Sequence, residues 1–283
     1  MKLAFTTLGC HEWDLTEIIA KAKQHGYAGV DFRGYLSELD LWKCPEFRSG
    51  AAETRRRFED AGLVVPCLSS SARMYAKPED RARHLDEVAH YVEMAAALGA
   101  PYVRVFGGGL GGVGFSEALP VAGEFLVEAG RIASGAGVEV LVETHDDWVD
   151  TNWLHAALET AGFPAGVNVL WDIHHPCRHA GEDPDDTWRR IGPFVRYTHW
   201  KDSLLENPAE VAEGQAPKFQ LVLPGDGDLP LMRFFDILED SGYTGWYTLE
   251  WERKWCPELA SPDVAFPRFV ELMKRFARDR RHA

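Results

Sequence analysis

Carboxylate and imidazole side chains recur at the ends of four successive β-like runs in the second half of the chain. They are Glu143 with His145, Asp172 with His175, His199, and Glu250 with Glu252; the ammonium of Lys201 follows His199 by two residues. Such groups take and return protons near neutral pH, and they are also common ligands of divalent cations. If the fold brings the four ends together, the like charges repel one another unless a cation neutralises them. The residue types therefore indicate acid–base chemistry around a bound metal.

The elements that must position these side chains alternate between strand and helix along the whole chain. Amphipathic segments such as 15–26 and 79–99 have the 3.6-residue spacing of helices, and each tends to end at a glycine. Apolar runs predict strands at 3–8, 28–33, 63–68, 102–106, 138–145, 167–172, 195–200 and 246–251. Eight βα units of about 35 residues predict a (β/α)8 TIM barrel, an α/β fold, as a single domain over 1–283. An open doubly wound sheet is the alternative.

The barrel prediction places the active site at the C-terminal ends of the strands. Because side chains alternate along a strand, Glu143 and His145 share one face, whereas Val140 and Val142 share the other. The ionisable residues should therefore point into the barrel mouth and hold one divalent cation. The expected ligands are Glu143, Asp172, His199 and Glu250. A mostly oxygen donor set favours Mn²⁺, with Mg²⁺, Co²⁺ or Zn²⁺ as further candidates; the alternative is that these residues are solvated or form ordinary ion pairs.

Several short motifs resemble those of a known family, and they occur in order along essentially the whole chain. They are LAFTTLG near the start, GYAGVDFRG (26–34), VETH (142–145), WDIHH (171–175), THWKD (198–202), PGDGDLP (224–230) and YTLEWE (247–252). The chain resembles xylose-isomerase-like barrels of the sugar isomerase/epimerase group, which includes ketose 3-epimerases, hydroxypyruvate isomerases and inosose dehydratases. The resemblance implies the same four metal ligands, a substrate-contacting role for His175 and a homodimer or homotetramer.

This metal site suits a substrate with a ketone beside a hydroxyl group, whose neighbouring C–H would lose a proton to give a metal-stabilised enediolate. Glu143 and Glu250 would flank that carbon, one removing the proton and the other returning it. Return to the same carbon gives an epimer, return to the next carbon gives an isomer, and loss of a β-hydroxyl gives a dehydrated product. We predict a sugar isomerase or epimerase acting on a keto-sugar or polyol ketone. The alternatives are a lyase, either inosose dehydratase-like or eliminating from a 3-keto-glycoside, and a non-catalytic sugar-binding barrel.

Two residues beside the expected ligands are candidate substrate contacts with structural alternatives. Lys201 lies in an HxKD motif that looks more like the inosose dehydratase branch than the ketose 3-epimerase branch. It would stabilise an enediolate or a leaving hydroxyl, or else pair with Asp202 or Glu252. His145 would contact a substrate hydroxyl or orient a carboxylate.

Two further residues have similarly divided interpretations. Arg104 lies at a position of its strand that should face the barrel interior. It would bind an anionic substrate group or pair with an interior carboxylate. Trp13 would stack on a sugar face or serve as packing.

The stretch 107–112 matches the GxGxxG motif of dinucleotide-binding sites and follows a strand. Such a site also needs an acidic residue about 20 positions further on at the end of the next strand, and none is suitably placed. A loop over the barrel mouth is therefore favoured over an NAD site.

Charge, cysteine pattern and the lengths of the apolar runs disfavour a nucleic-acid-binding protein, a disulfide-linked protein and a membrane protein. Thirty Lys and Arg against 44 Asp and Glu give a net charge of −14, which disfavours nucleic acid as a partner. The triple-metal nucleases of the same superfamily need further ligands, and 69–71, 106–108 and 225–228 do not supply them. Five cysteines without a CxxC pair indicate free thiols, and no run approaches the length of a membrane span. We predict a cytoplasmic protein that binds a small sugar or polyol, with 34–49 and 203–229 as functional loops.

Overall fold

A computed structural model describes residues 1–206 and 218–282, and its central feature is a ring of parallel strands. The ring consists of β1 (Lys2–Thr6), β2 (Gly29–Asp31), β3 (Cys67–Arg73), β4 (Tyr102–Phe106), β5 (Glu139–Glu143), β6 (Val167–Asp172), β7 (Val195–Trp200) and β10 (Trp246–Leu249). They pair in the order β2-β1-β10-β7-β6-β5-β4-β3. Single bridges from Gly29 to Val64 and from Phe32 to Leu68 join β2 to the β3 segment and complete the ring. The (β/α)8 TIM barrel prediction is confirmed.

Helices in the described residues surround the ring. They are α1 (Leu15–His25), α2 (Ala51–Asp60), α3 (Pro78–Leu98), α4 (Phe115–Ser134), α5 (Thr151–Thr160), α6 (His174–His179), α7 (Pro184–Ile191), α8 (Leu231–Asp240) and α9 (Pro262–Asp279). The helices α1 and α3 end at Gly26 and Gly99, where φ is +84° and +75°, a conformation that glycine adopts without steric cost. Among these helices, none has the length and apolar character needed to cross a membrane.

Alternation along the strands separates two apolar layers. On β5, Val140 and Val142 pack in the large core between ring and helices, whereas Leu141 points inward. The interior cluster of the barrel consists of Ala4, Cys67, Leu141, Leu170, Tyr197 and Trp246. Glu143 follows Leu141 by two residues and therefore lies above this apolar floor, on the inward face. This arrangement puts the polar centre at the C-terminal end of a closed apolar interior.

Two elements differ from the sequence expectation. The third strand covers 67–73 rather than 63–68, because Pro66 has no N–H to donate and Val64 makes only an isolated bridge. Most side chains of this strand are small and polar, so a search for apolar runs does not predict its full length. The expected loop 203–229 contains part of an antiparallel hairpin, β8 (Asp202–Leu205) with β9 (Phe219–Val222). Residues 207–217 of that loop lie outside the described residues, and 34–49 contains short helical turns at 41–43 and 45–47.

Candidate metal centre

The fold brings together the four side chains expected to be metal ligands. Glu143 and Asp172 end β5 and β6, His199 lies in β7 directly beside Asp172 in register, and Glu250 follows β10. One ligand atom from each lies within 4.8 Å of the others. The side chains are buried, with Glu250 the most exposed at 5%. Adjacent parallel strands therefore deliver three carboxylates and one imidazole to a single point.

His199 lies at the middle of this cluster and contacts carboxylates through both ring nitrogens. Its Nδ1 is 2.9 Å from Glu143 Oε1 and 3.3 Å from Glu250 Oε1. On the other side, its Nε2 is 3.2 Å from Oδ2 of Asp31, which ends β2, and the Ser69 hydroxyl donates to Asp31 Oδ1 at 2.8 Å. In the metal-free protein both ring nitrogens donate to carboxylates. If a metal takes the place of the Nδ1 proton, the Nε2–H bond to Asp31 would keep the Nδ1 lone pair directed at the centre. A carboxylate behind a ligating histidine is a common way of fixing its tautomer and orientation.

Sequence reasoning missed Asp31, although a signal for it was present. Asp31 ends the second strand at a position whose side chain points into the barrel, as do those of the four expected ligands. The four expected ligands lie at the ends of the last four strands of the ring, whereas Asp31 lies in the first half of the chain.

Two buried cations neutralise the carboxylates. Arg104 Nε lies 3.3 Å from Glu143 Oε2. Lys201 Nζ lies 3.0 Å from Asp172 Oδ2, 2.5 Å from Glu250 Oε2 and 2.6 Å from an oxygen of Glu252. Of the two ion pairs considered for Lys201, the one with Glu252 is therefore present. Asp202 instead accepts hydrogen bonds from the backbone N–H groups of residues 203, 225 and 227.

Burial disfavours every charge in the centre, and the balance between burial and the neighbouring charges sets the direction of each pKa. Burial lowers the pKa of His199, but the carboxylates of Glu250 and Asp31 outweigh it and raise the pKa well above its usual value. For Lys201, Asp172 and Glu250 likewise outweigh burial and raise the pKa. Burial raises the pKa of Asp172 to about 7, against the opposing charge of Lys201. Burial also favours protonation of Glu250, yet Lys201 and His199 hold its pKa well below normal.

The centre satisfies a chemical test for a divalent cation. Glu143 Oε2 and Asp172 Oδ2 are buried, and within the described parts of the chain neither accepts an aligned hydrogen bond. Arg104 and Lys201 contact these two oxygens as ion-pair partners, and the lone pairs that remain on each oxygen can bind a divalent cation. The donor set of three carboxylates and one imidazole matches hard or borderline ions such as Mn²⁺, Mg²⁺, Co²⁺ and Zn²⁺.

The two predicted substrate histidines lie beside the centre. His175, 8% exposed, donates through Nδ1–H to the carbonyl oxygen of Thr144 at 3.1 Å. The rings of His145 and His175 are 4.6 Å apart, and His145 Nδ1 is 3.0 Å from Asp146 Oδ1. Both histidines line a cavity of about 420 Å³. His145 therefore contacts a carboxylate, one of its two expected roles, while facing space for a small ligand.

Arg104 and Trp13 lie in surroundings that match their structural alternatives. Arg104 is 1% exposed and pairs with Glu143, so its guanidinium is directed at an interior carboxylate. The Trp13 ring packs edge-on against Phe266 of α9, with centroids 5.7 Å apart, and Lys21 lies over it. This ring belongs to the large apolar core between the ring of strands and the helices. A role for either residue in substrate binding stays a prediction.

The glycine-rich loop after β4 is tied to carboxylates. The backbone N–H of Gly108 donates to Asp146 at 3.0 Å, and that of Leu110 donates to Asp147 at 2.6 Å. A phosphate cradle needs such N–H groups free for the ligand. These contacts favour a loop over the barrel mouth and disfavour an NAD-binding site.

Replacing Asp31 by asparagine should weaken divalent-metal binding by about 10- to 100-fold, because the neutral amide is a poorer acceptor for His199 Nε2–H. Equilibrium dialysis against Mn²⁺ measures the change. Asp279→Asn, at an exposed position, is the control and should bind as wild type does. Wild-type affinity in Asp31→Asn, with the fold intact, would exclude this positioning role.

Comparison with known proteins places this geometry among related barrels. A family model described as a xylose isomerase-like TIM barrel matches residues 19–274. A curated relative, inosose dehydratase 1 of Bacillus cereus, is 30% identical over 140 residues, which are 47% of this chain and 46% of that protein. The matched segment therefore spans about half the length of such relatives.

Solved structures extend the likeness over nearly the whole chain. The IOLI protein, whose structure holds a zinc atom, has a TM-score of 0.76 at 16% identity, covering 99% of this chain and 97% of that one. The 3-keto-D-glucoside 4-epimerase of E. coli has a TM-score of 0.74 at 14% identity, covering 97% and 99%. At such identities the likeness concerns the fold.

Proposed function

The chain belongs to the xylose isomerase-like TIM barrel family, and from that premise we propose that it is a divalent-metal-dependent sugar isomerase or epimerase. Its substrate would be a keto-sugar or polyol ketone, and the reaction would proceed by proton transfer through an enediolate. The observation that carries this proposal is the buried cluster of Glu143, Asp172, His199 and Glu250. Two of its members are glutamates from different strands, as acid–base chemistry at one carbon requires. A binding protein has no need of that pair.

The four clustered residues would hold the metal, with Asp31 orienting His199 from behind. A bound divalent cation supplies a Lewis acid that makes the C–H beside a ketone more acidic. Mn²⁺ is the first candidate, and the zinc in the IOLI structure keeps Zn²⁺ among the others. Exclusion of water by the surrounding buried side chains strengthens each electrostatic contact in the centre.

Proton transfer is assigned to Glu143 and Glu250. Lys201 and His199 hold the Glu250 carboxylate ionised, so it is ready to accept a proton. Glu143 approaches from β5, while Glu250 follows β10, with His199 of β7 between them. One glutamate would remove the proton and the other would return it, which inverts a centre when both act on the same carbon. His175 and His145, which line the adjacent cavity, would bind substrate hydroxyl groups.

A lyase on the same site is the second candidate. The relatives that match about half of the chain are named inosose dehydratases. The Lys201 ammonium contacts both Asp172 and Glu250, and these contacts keep its pKa well above normal. A fixed positive charge at this place would stabilise a departing hydroxyl group as well as an enediolate.

Proton NMR of metal-loaded protein with ketoses, keto-inositols and 3-keto-glycosides separates the two candidates. A new epimer or isomer supports the isomerase proposal. An enone, or a released aglycone, assigns the protein to the lyases. A metal-loaded protein that converts no member of the panel contradicts both.

Metal affinity should fall as the pH drops below about 7. Burial raises the pKa of Asp172 to about 7, so below that pH the metal must displace a proton from this carboxyl group. The raised pKa of His199 adds a second proton to displace. We expect at least a tenfold loss of affinity per pH unit below 7, measured by Mn²⁺ titration between pH 5.5 and 8. A constant affinity across this range would contradict the assignment of these ligands.

A further inference from the structure

A second group of metal-ligating side chains lies on α6, outside the carboxylate centre. His174, His175 and His179 each offer a ring nitrogen, and these atoms all lie within 4.8 Å of one another. The ring centroids are 5.6 Å apart between His174 and His175, 5.6 Å between His175 and His179, and 6.3 Å between His174 and His179. The three imidazoles form a nearly regular triangle.

The size of this triangle matches three imidazoles around one ion. A zinc–nitrogen bond of about 2.0–2.1 Å puts a ring centroid about 3.2 Å from the metal, so tetrahedral ligands have centroids about 5.2 Å apart. The observed separations exceed that value by about 1 Å or less. Small rotations of the exposed His179 side chain would close the remaining distance.

His174 and His175 each make a hydrogen bond through one ring nitrogen, which leaves the other nitrogen available to a metal. His175 Nδ1–H donates to the carbonyl oxygen of Thr144 at 3.1 Å, which leaves a lone pair on Nε2. His174 Nε2 is 3.0 Å from the hydroxyl oxygen of Ser203. His174 Nδ1 is buried and has no hydrogen-bond partner within 1–206 and 218–282. Metal-ligating histidines typically donate their second nitrogen to a carbonyl or another polar oxygen in this way.

A cavity adjoins this group of histidines. His175 and His179 line the cavity of about 420 Å³, which gives an ion an entry path and space for a fourth ligand.

We propose that His174, His175 and His179 form a second metal site that binds Zn²⁺ or a similar borderline ion. Three nitrogen donors favour such ions over Mg²⁺ and Mn²⁺, which prefer oxygen. The site therefore differs from the carboxylate centre in selectivity. Because the proposed function assigns His175 to substrate binding, Zn²⁺ at this site competes with substrate; that consequence, unlike the binding itself, rests on the proposed function.

Zinc stoichiometry of purified full-length protein tests the site without any substrate. After dialysis against Zn²⁺, wild type should hold two ions per chain, and His179→Ala should hold one. His282→Ala, which also removes an exposed histidine, is the matched control and should hold two. Asp172→Asn, which damages the carboxylate centre, should keep the three-histidine ion. Equal zinc content in wild type and His179→Ala overturns the proposal.

Cobalt absorption provides a second measurement that also monitors the type of ligand. Co²⁺ in a tetrahedral three-imidazole site absorbs strongly in the visible, whereas an oxygen-rich, higher-coordinate site absorbs weakly. The strong bands should appear in wild type and Asp172→Asn and should be absent in His179→Ala. Bands that persist in His179→Ala overturn the proposal. A failure of the proposed isomerase activity leaves both readouts unchanged, so the two hypotheses fail separately.

Discussion

Replacing Glu250 by glutamine should lower kcat by about 10²- to 10⁴-fold, because the amide cannot accept or return a proton. The amide keeps the size of the side chain and one oxygen toward the centre, so the protein should stay folded. Lys201 and His199, which contact Glu250 at 2.5 Å and 3.3 Å, lose a charged partner. Steady-state kinetics on the substrate found by the NMR panel measure the change, with metal content determined in the same samples.

Glu252→Gln is the matched control for this prediction. Glu252 lies two residues further along the chain and contacts the same Lys201 ammonium at 2.6 Å, yet it is outside the four-residue cluster. Loss of a charge beside Lys201 is therefore common to both variants, while loss of a proton acceptor in the centre is specific to Glu250→Gln. If the two variants lose activity equally, the acid–base role of Glu250 is wrong.

Replacing Lys201 by methionine should destabilise the metal-free protein by about 3–5 kcal/mol. Lys201 is 3% exposed, and its ammonium lies between Asp172 and Glu250. Without it, buried carboxylates face one another with one fewer compensating charge. Urea unfolding of chelated protein measures the loss. The loss in free energy of unfolding should be smaller at acidic pH, where the carboxylates take up protons. It should also be smaller when a divalent cation is added.

Lys274→Met provides the control for this stability change. Lys274 is an exposed residue of α9, and its loss should change stability by no more than about 0.5 kcal/mol. A Lys201→Met protein that is as stable as the Lys274→Met protein after chelation would show that Lys201 does not neutralise the centre.

The ligand cluster was predictable because two local rules act together. Barrel strands alternate inward and outward side chains, and their C-terminal ends meet at one mouth. Glu143 and Asp172 lie in strands predicted from apolar runs at 138–145 and 167–172, so their inward direction followed from parity. The placement of His199 beside Asp172 follows from parallel pairing of β6 with β7.

Other features depend on contacts between distant parts of the chain. The pairing of Asp31 with His199 joins residues 168 positions apart, and the sequence does not show which imidazole a buried carboxylate meets. The packing of Trp13 on Phe266 depends on how the turn after β1 meets α9. The polar strand β3 lacks an apolar pattern because Ser69 faces Asp31 in the interior. A homodimer or homotetramer and a cytoplasmic location stay predictions.

Proton NMR in D₂O tests most directly whether a metal held by Glu143, Asp172, His199 and Glu250 promotes proton transfer at a substrate carbon. The substrate is the one identified with the panel of ketoses, keto-inositols and 3-keto-glycosides, and chelated protein is compared with protein reloaded with Mg²⁺. We expect the C–H signal beside the ketone to disappear with reloaded protein and to persist with chelated protein. Equal exchange in the two samples would contradict metal-dependent proton transfer at this cluster.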